Sequence, residues 1–322
     1  MTPLFTVSAS PHIRSDNDIN RAMRFVIIAL LPAFFGAVYF FGNRVIVVTM
    51  VSIASALAAE ILGQVVFGRK VDITDGSAII TGLLLVYNLP PAVPFWIPMI
   101  GAGFAILIVK QFFGGLGHNF INPALAGRAF LMASWPMIMT KAWLAPRGGT
   151  LSGLDGITAA TPLSLLKYGN SEIVAQLNGP DAARHLLLGN VGGCIGETSA
   201  LLLIAGGIFL LILRIIDYRI VIGYLGSVAI LTYVLPSKVS VLFQLFSGGL
   251  MLGAIFMATD WVTSPITKLG RWLFGIGCGL LTMIIRVWGG YPEGVSYAIL
   301  LMNLFTPLID RYTYRRSGGA WR

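Results

Sequence analysis

The chain has 322 residues, 56% of them hydrophobic and 11% charged, with a mean hydropathy of +0.83. Soluble domains carry about a quarter charged residues, so this composition excludes an ordinary soluble enzyme and describes a membrane protein. Net charge is +9 and the pI is near 9.8, but the bases sit mostly at the ends of apolar runs. Topology and anionic lipid account for them there, and no nucleic-acid partner is expected.

A spanning helix needs about 20 apolar residues to cross about 30 Å of hydrocarbon. Such runs recur from Arg24 to Asp310. The N-terminal stretch is polar through Asn20, so no cleavable signal is expected and the first span doubles as the insertion signal. Ten spans are predicted, at 24–42, 45–67, 76–89, 93–113, 121–139, 198–216, 218–235, 240–259, 272–289 and 291–310. The third starts at Asp75-Gly76 and stops at Asn88-Leu89-Pro90-Pro91, too short to cross as regular helix. The eighth is broken, opening on Ser247-Gly248-Gly249 and closing on Thr259-Asp260.

The chain therefore divides into an N-terminal five-helix repeat (1–139), a polar insert (140–197) and a C-terminal five-helix repeat (198–322). Arg14, Arg21, Arg24, Arg69, Lys70, Lys110, Arg128, Arg214, Arg219, Lys268, Arg271, Arg311, Arg315 and Arg316 fall on one side of a ten-span plan. That side is expected to be cytoplasmic and to hold both termini. The insert is then extracytoplasmic, and Arg286 lies near a helix end. Five crossings per half force the halves into opposite orientations. Each half has a Gly/Pro-interrupted third span, which points to an all-α inverted repeat with sites at the broken helices. The alternative reading of these glycines is close helix packing.

Seven residues of the insert stand out: Asp155-Gly156-Ile157-Thr158-Ala159-Ala160-Thr161. An acid, a Ser/Thr three residues on and then Ala-Thr is a pattern on which a flavin transferase esterifies FMN to a hydroxyl. Thr161 is the candidate ester. Asp155 would help orient the phosphate donor or a metal, and Thr158 would hydrogen-bond the phosphate. Pro162 favours an extended Thr161. Such a stretch also reads as an ordinary loop in which Thr161-Pro162 starts a short helix.

Elsewhere, Glu60 lies well inside the second span, where a charge costs about 2.5–3.5 kcal/mol on insertion scales. It is partnered, protonated or part of an ion path. Arg128, a turn or more into the fifth span, either meets a phosphate, a flavin carbonyl or another subunit's acid, or snorkels to headgroups. Asp260 follows the broken eighth span as a weaker ion candidate, and Asp75 reads as a cap. Cys194 and Cys278 are far apart, and with no Cys-x-x-Cys they offer no self-contained four-thiolate iron–sulfur site. The histidines have no metal-ligand spacing.

Several segments carry a resemblance over nearly the whole chain: Ser10-Pro11-His12, Asn122-Pro123-Ala124-Leu125-Ala126-Gly127-Arg128-Ala129-Phe130 and Asp155 through Leu163. To these add Phe256-Met257-Ala258-Thr259-Asp260 with Thr263-Ser264-Pro265, and Gly290-Tyr291-Pro292-Glu293-Gly294 continuing to Asp310-Arg311-Tyr312. The sequence resembles the D-subunit family of the Rnf complex, which is related to the B subunit of the sodium-pumping NADH:quinone oxidoreductase. The departure is Ala159, where the family most often has Gly.

The resemblance implies a component of an ion-translocating oxidoreductase in the bacterial cytoplasmic (inner) membrane, passing electrons between ferredoxin and NAD coupled to Na+ or H+ movement. This component would relay electrons through FMN bound covalently to Thr161. It implies partner subunits A, B, C, E and G, especially the G flavoprotein, and a flavin transferase for maturation. A second, noncovalent flavin such as riboflavin is suggested by the quinone-reductase relative, without a motif here. The chain has no dinucleotide fingerprint, so substrate oxidation falls to other subunits. The rival classes are a secondary transporter with an ion site at the broken helices and a passive scaffold.

Overall fold

The structure is a computed structural model describing residues 19–146, 161–169, 180–235 and 239–314. Ser10-Pro11-His12, Asp155 and Thr158 lie outside the described residues. Every regular element among the described residues is helical.

The first half runs α1 (Ile19–Phe41), α2 (Arg44–Val66), α3 (Ser77–Tyr87), α4 (Trp96–Gly103), which continues as π1 (Phe104–Gln111), and α5 (Pro123–Ser134). Short helices α6 (Pro136–Lys141), α7 (Pro162–Tyr168) and α8 (Pro180–Leu188) follow in the insert. The second half runs α9 (Ala200–Ile212), α10 (Tyr218–Val234), α11 (Val241–Phe246), α12 (Leu250–Leu252) leading into π2 (Gly253–Met257), α13 (Lys268–Trp288) and α14 (Val295–Thr313). Helix therefore occurs at each of the ten expected segments, but among the described residues α1, α2 and α13 are the three long and apolar enough to cross a membrane. At 1.5 Å per residue α3 spans only about 16 Å and α9 about 20 Å. The chain is a multi-pass membrane protein in which several apolar helices stop short.

Boundaries differ from the sequence pattern where the backbone has a local reason. The expected 121–139 span bends at Pro136, which starts α6 at its first position. The expected 291–310 span starts only at Val295, because Gly289–Gly294 forms the loop between α13 and α14. The eighth segment breaks at Ser247–Gly249 as its glycines require, with Gly248 in the left-handed region at φ 64°.

Small residues set the helix contacts. A Cβ on Gly206 of α9 would lie 2.2 Å from the Ala29 carbonyl oxygen of α1, and one on Gly275 of α13 would lie 2.6 Å from the Ile220 oxygen of α10. Backbones approach closely there because nothing intervenes, which is how helices associate when lipid supplies no hydrophobic drive. One large apolar core joins both halves. A smaller cluster of Leu163, Leu186, Val191, Val239 and Phe243 seats α7 and α8 against α11. The end of the 140–197 insert is accordingly not a free loop: residues 191–197 are all buried.

Candidate functional site

The site grows from the C-terminal end of α3. A helix that stops leaves carbonyls without partners. Here the segment before α9 supplies donors: Ile195 N–H bonds the Leu89 carbonyl at 3.0 Å and Gly196 N–H bonds the Tyr87 carbonyl at 2.9 Å. Gly196 is required for this approach, since a Cβ would sit 2.3 Å from side-chain atoms of Tyr87. The contact brings Cys194 to Asn88, and its thiol donates to the Asn88 carbonyl at 3.4 Å.

Arg128 reaches the same place from the second turn of α5. It is 5% exposed. Its Nη1 donates to Asn88 Oδ1 at 2.8 Å and Ser296 Oγ at 3.0 Å, and its Nη2 donates to Glu293 Oε2. Glu197 lies 3.6 Å from Nη1. The snorkelling alternative is thereby corrected: the acid that Arg128 meets belongs to its own chain, and the buried guanidinium does not extend to headgroups. Both Glu197 oxygens are buried with no hydrogen-bond partner. Burial first, then the Glu293 carboxylate, push this acid up to about 8, against the pull of Arg128. Burial likewise pushes the Cys194 thiol up.

This cluster floors a cavity of 470 Å³ whose wall includes Thr161, a volume in the range of small-molecule sites. Asn88, Arg128, Cys194, Glu293 and Ser296 form the polar floor, while Lys141, Trp143, Tyr168, Tyr291 and Tyr297 are further lining residues. Thr161 is the N-cap of α7 and extended, at φ −69° and ψ 149°, as Pro162 favours. Its hydroxyl oxygen accepts from Ser164 N–H at 3.3 Å and the hydroxyl donates to Ser164 Oγ at 3.2 Å. Three bonds moor α7: Lys167 Nζ donates to the Gly289 and Tyr291 carbonyls, and Tyr168 donates to the Gly290 carbonyl at 3.0 Å. Thr161 and Arg128 are thus brought to one cavity, whereas Glu60 and Asp260 lie elsewhere.

A second cavity, of 280 Å³, lies at the opposite end of α3, lined by Ser77, Thr81, Lys110, Asn119, Asn122 and Asp260 among others. Glu60 sits behind it. Its Oε1 accepts from Lys110 Nζ at 2.9 Å, Gln111 Nε2 at 2.7 Å and Gln64 Nε2 at 3.0 Å. Lys110 also donates to Ser77 Oγ at 2.6 Å, and Asp75 Oδ1 accepts from Ser77 N–H at 3.0 Å, the expected cap. Asp260 closes its own turn, accepting from Thr263 Oγ1 at 2.9 Å. Burial pushes its carboxyl up.

Sequence reasoning gave no site role to Glu197, Asn88 or Lys110, and weighed Cys194 only as an iron–sulfur ligand. The available signal was an acid or base next to or inside an apolar run, as in Gly196-Glu197-Thr198-Ser199. Arg286 lies in the last turn of α13, near the helix end as expected. It is nevertheless 8% exposed and buried in the second break, where Nη1 donates to Gln244 Oε1 at 2.9 Å and to the Gln244 carbonyl at 2.7 Å, and Nη2 donates to the Ser247 carbonyl at 3.0 Å.

Fold and site together define a multi-pass membrane protein with buried charge clusters and a polar-floored cavity at each end of a short helix. The sequence profile of the NQR2, RnfD, RnfE family matches residues 6–319, and the chain belongs to that family. It is 47% identical over 322 residues to the D subunit of the Na(+)-translocating ferredoxin:NAD(+) oxidoreductase complex of Acetobacterium woodii, covering 98% of this chain and 95% of that one. It is 44% identical to the D subunit of the proton-translocating ferredoxin:NAD(+) oxidoreductase complex of Clostridium ljungdahlii, covering 99% and 97%. It is 42% identical to the D subunit of the ion-translocating oxidoreductase complex of Stutzerimonas stutzeri, covering 94% and 93%. Two relatives of nearly equal identity are thus named for different ions.

Proposed function

We propose that this chain is the D subunit of an Rnf-type ion-translocating oxidoreductase and relays electrons through FMN esterified to Thr161. The observation that carries this is the Thr161 hydroxyl on the wall of a cavity floored by Arg128. Bound there, FMN would supply electron transfer. Thr161 would hold the phosphate: its oxygen loses its hydrogen on esterification and so gives up only the bond to Ser164 Oγ, while it can still accept from Ser164 N–H. Lys167 and Tyr168 keep α7 against the Gly289–Tyr291 loop, which fixes where the ester sits. Lys141 offers positive charge, Arg128 is held at the floor by Glu293, and the tyrosines and Trp143 offer ring faces.

The second cavity, with its hydroxyls and amides, suits a noncovalent flavin such as riboflavin, which has no phosphate. The bias of bases supports cytoplasmic termini and an extracytoplasmic 140–197 insert in the inner membrane. An inverted repeat draws support from the matching order of five elements per half. It also draws support from a buried base on the fourth element of each half holding the third: Lys110 at Ser77, and Arg286 at Gln244 and Ser247. Subunits A, B, C, E and G, especially the G flavoprotein, are the proposed partners, with a flavin transferase for maturation. The transporter reading is weakened by these bases, because each break is already occupied by a fixed charge.

In-gel flavin fluorescence tests the proposal. Chain co-produced with the transferase should give a fluorescent band after denaturation, lost in Thr161→Ala and kept in Thr158→Ala. A dark band from the unsubstituted chain under those conditions refutes it.

A further inference from the structure

Glu197 poses a problem that the flavin reading does not absorb. It is 6% exposed, and neither carboxylate oxygen has a hydrogen-bond partner. A buried carboxylate in that condition is costly in its charged form. Arg128, the cation facing it at 3.6 Å, is already engaged by Glu293, Asn88 and Ser296. The other groups acting on it are the Cys194 thiol in its own segment and, from α13, Arg286, which spends its bonds on Gln244 and Ser247. From α3, Tyr87 packs on Gly196, but its hydroxyl is turned to the Leu30 carbonyl at 2.8 Å.

Cys194, Glu197 and Glu293 offer ligand atoms within 4.8 Å of one another, a spacing a metal ion accepts. The Arg128 guanidinium fills that space with positive charge, which favours a proton over a cation. Two carboxylates facing one arginine leave the cluster room for one proton. Of the two, Glu293 reaches the cavity wall, with 17% of its side chain exposed, while Glu197 lies deeper at 2%.

We propose that Glu197 is a redox-linked proton site: it binds one proton from water when negative charge builds up in the Thr161 cavity and returns it when that charge leaves. The electron comes from, and passes on to, the one-electron carriers of the complex, flavin or iron–sulfur in class. One electron in and one proton in leave the buried cluster electrically unchanged. The inference rests on the flavin reading. Glu197 acts as a positioning residue for charge, not as a group that touches the substrate.

Redox difference infrared spectroscopy on the assembled complex tests it. The expected result is a protonated-carboxyl C=O band that changes with reduction and downshifts in D2O. It should be absent in Glu197→Gln and present at a displaced frequency in Glu197→Asp. Persistence of the same band in Glu197→Gln, or its absence from the unsubstituted complex, overturns the proposal. In-gel fluorescence read on the same samples separates the two claims. A dark band sinks the flavin reading and the redox link with it, and a pH titration of the flavin-free chain then decides whether Glu197 still binds a proton. Failure to see a Glu197-dependent carboxyl titrating around pH 8 overturns that too.

Discussion

Lys110→Met removes one partner of a buried ion pair and leaves the other with nowhere to go. The side chains of Lys110 and Glu60 are 3% and 2% exposed, and the charges lie 2.9 Å apart. At that separation and an effective dielectric near 20 the attraction is about 6 kcal/mol. Desolvation of both charges offsets much of it, so the pair contributes little net stability. Removing one member is different, because Glu60 then keeps its desolvation cost without its cation, and a loss of about 3–5 kcal/mol is expected. Two glutamines still donate to Glu60 Oε1, which places the expectation at the lower end. Adding Glu60→Gln to the Lys110→Met background removes the orphan charge and should recover about half of the loss or more, as coupled neighbours do. The assay is reversible unfolding of the purified chain in mixed micelles, followed by tryptophan fluorescence. A double variant no more stable than Lys110→Met would refute the reasoning, since the loss would then owe nothing to an uncompensated carboxylate.

Glu60→Gln alone also separates a structural from an ion-carrying carboxylate. A cation at Glu60 would have to compete with Lys110, so ions moved per electron should stay constant in this variant while stability falls; loss of coupling at unchanged stability would return Glu60 to the ion path. Gly275→Ala places a Cβ 2.6 Å from a backbone oxygen of α10, which cannot rotate away, and should cost about 1–3 kcal/mol in the same unfolding assay. For pH, the folded Glu197 acid is raised to about 8, whereas the unfolded chain ionises near the ordinary Glu value of about 4.3. Its contribution is therefore fully present below about pH 4 and is lost as pH rises through about 8. Stability measured across that window should fall more in the unsubstituted chain than in Glu197→Gln; parallel curves would contradict it.

The helical class, the break at Ser247–Gly249 and the shortness of α3 were all legible, because glycine, proline and run length act locally. The place of Thr161 at the head of α7 was legible for the same reason: Thr-Pro is a local cap signal, and it fixed both the helix start and the extended backbone. What surrounds Thr161 was not. Arg128 and Glu197 are 69 positions apart in sequence and meet only because residues 195 and 196 cap α3. No periodicity encodes such a meeting. Arg286 and Lys110 mislead in a related way. A base near the end of an apolar run ordinarily snorkels, and only the neighbouring helix reveals that a carbonyl or a carboxylate is waiting inside. The bend at Pro136 has a visible local signal, but the apolar run continues through it and hides the break.

The two cavities and the short helices have one cause. A helix that ends within the apolar thickness leaves carbonyls and N–H groups that lipid cannot satisfy, so another part of the protein must reach them. At the start of α3 the reaching groups are Asp75 on the Ser77 N–H and Lys110 on the Ser77 hydroxyl. At its end they are the Ile195 and Gly196 N–H groups. At the second break they are the Arg286 donors on Gln244 and Ser247. Each rescue brings a polar or charged side chain to a place where no helix continues, and the length missing from α3 leaves space beyond both of its ends. Polar-lined space inside an apolar protein is what a bound cofactor requires, and Met257 of π2 lies between the two volumes: Asn88 of the first donates to its sulfur at 3.6 Å and Asn122 of the second to its carbonyl at 3.4 Å. Lengthening α3 to a full span would close the cavities and displace the Gly196 contact, and Lys110 would lose Ser77 while keeping Glu60. The shortness of the helix, its buried caps and the site are therefore one feature of the sequence, and none of the three is expected to tolerate change without the others.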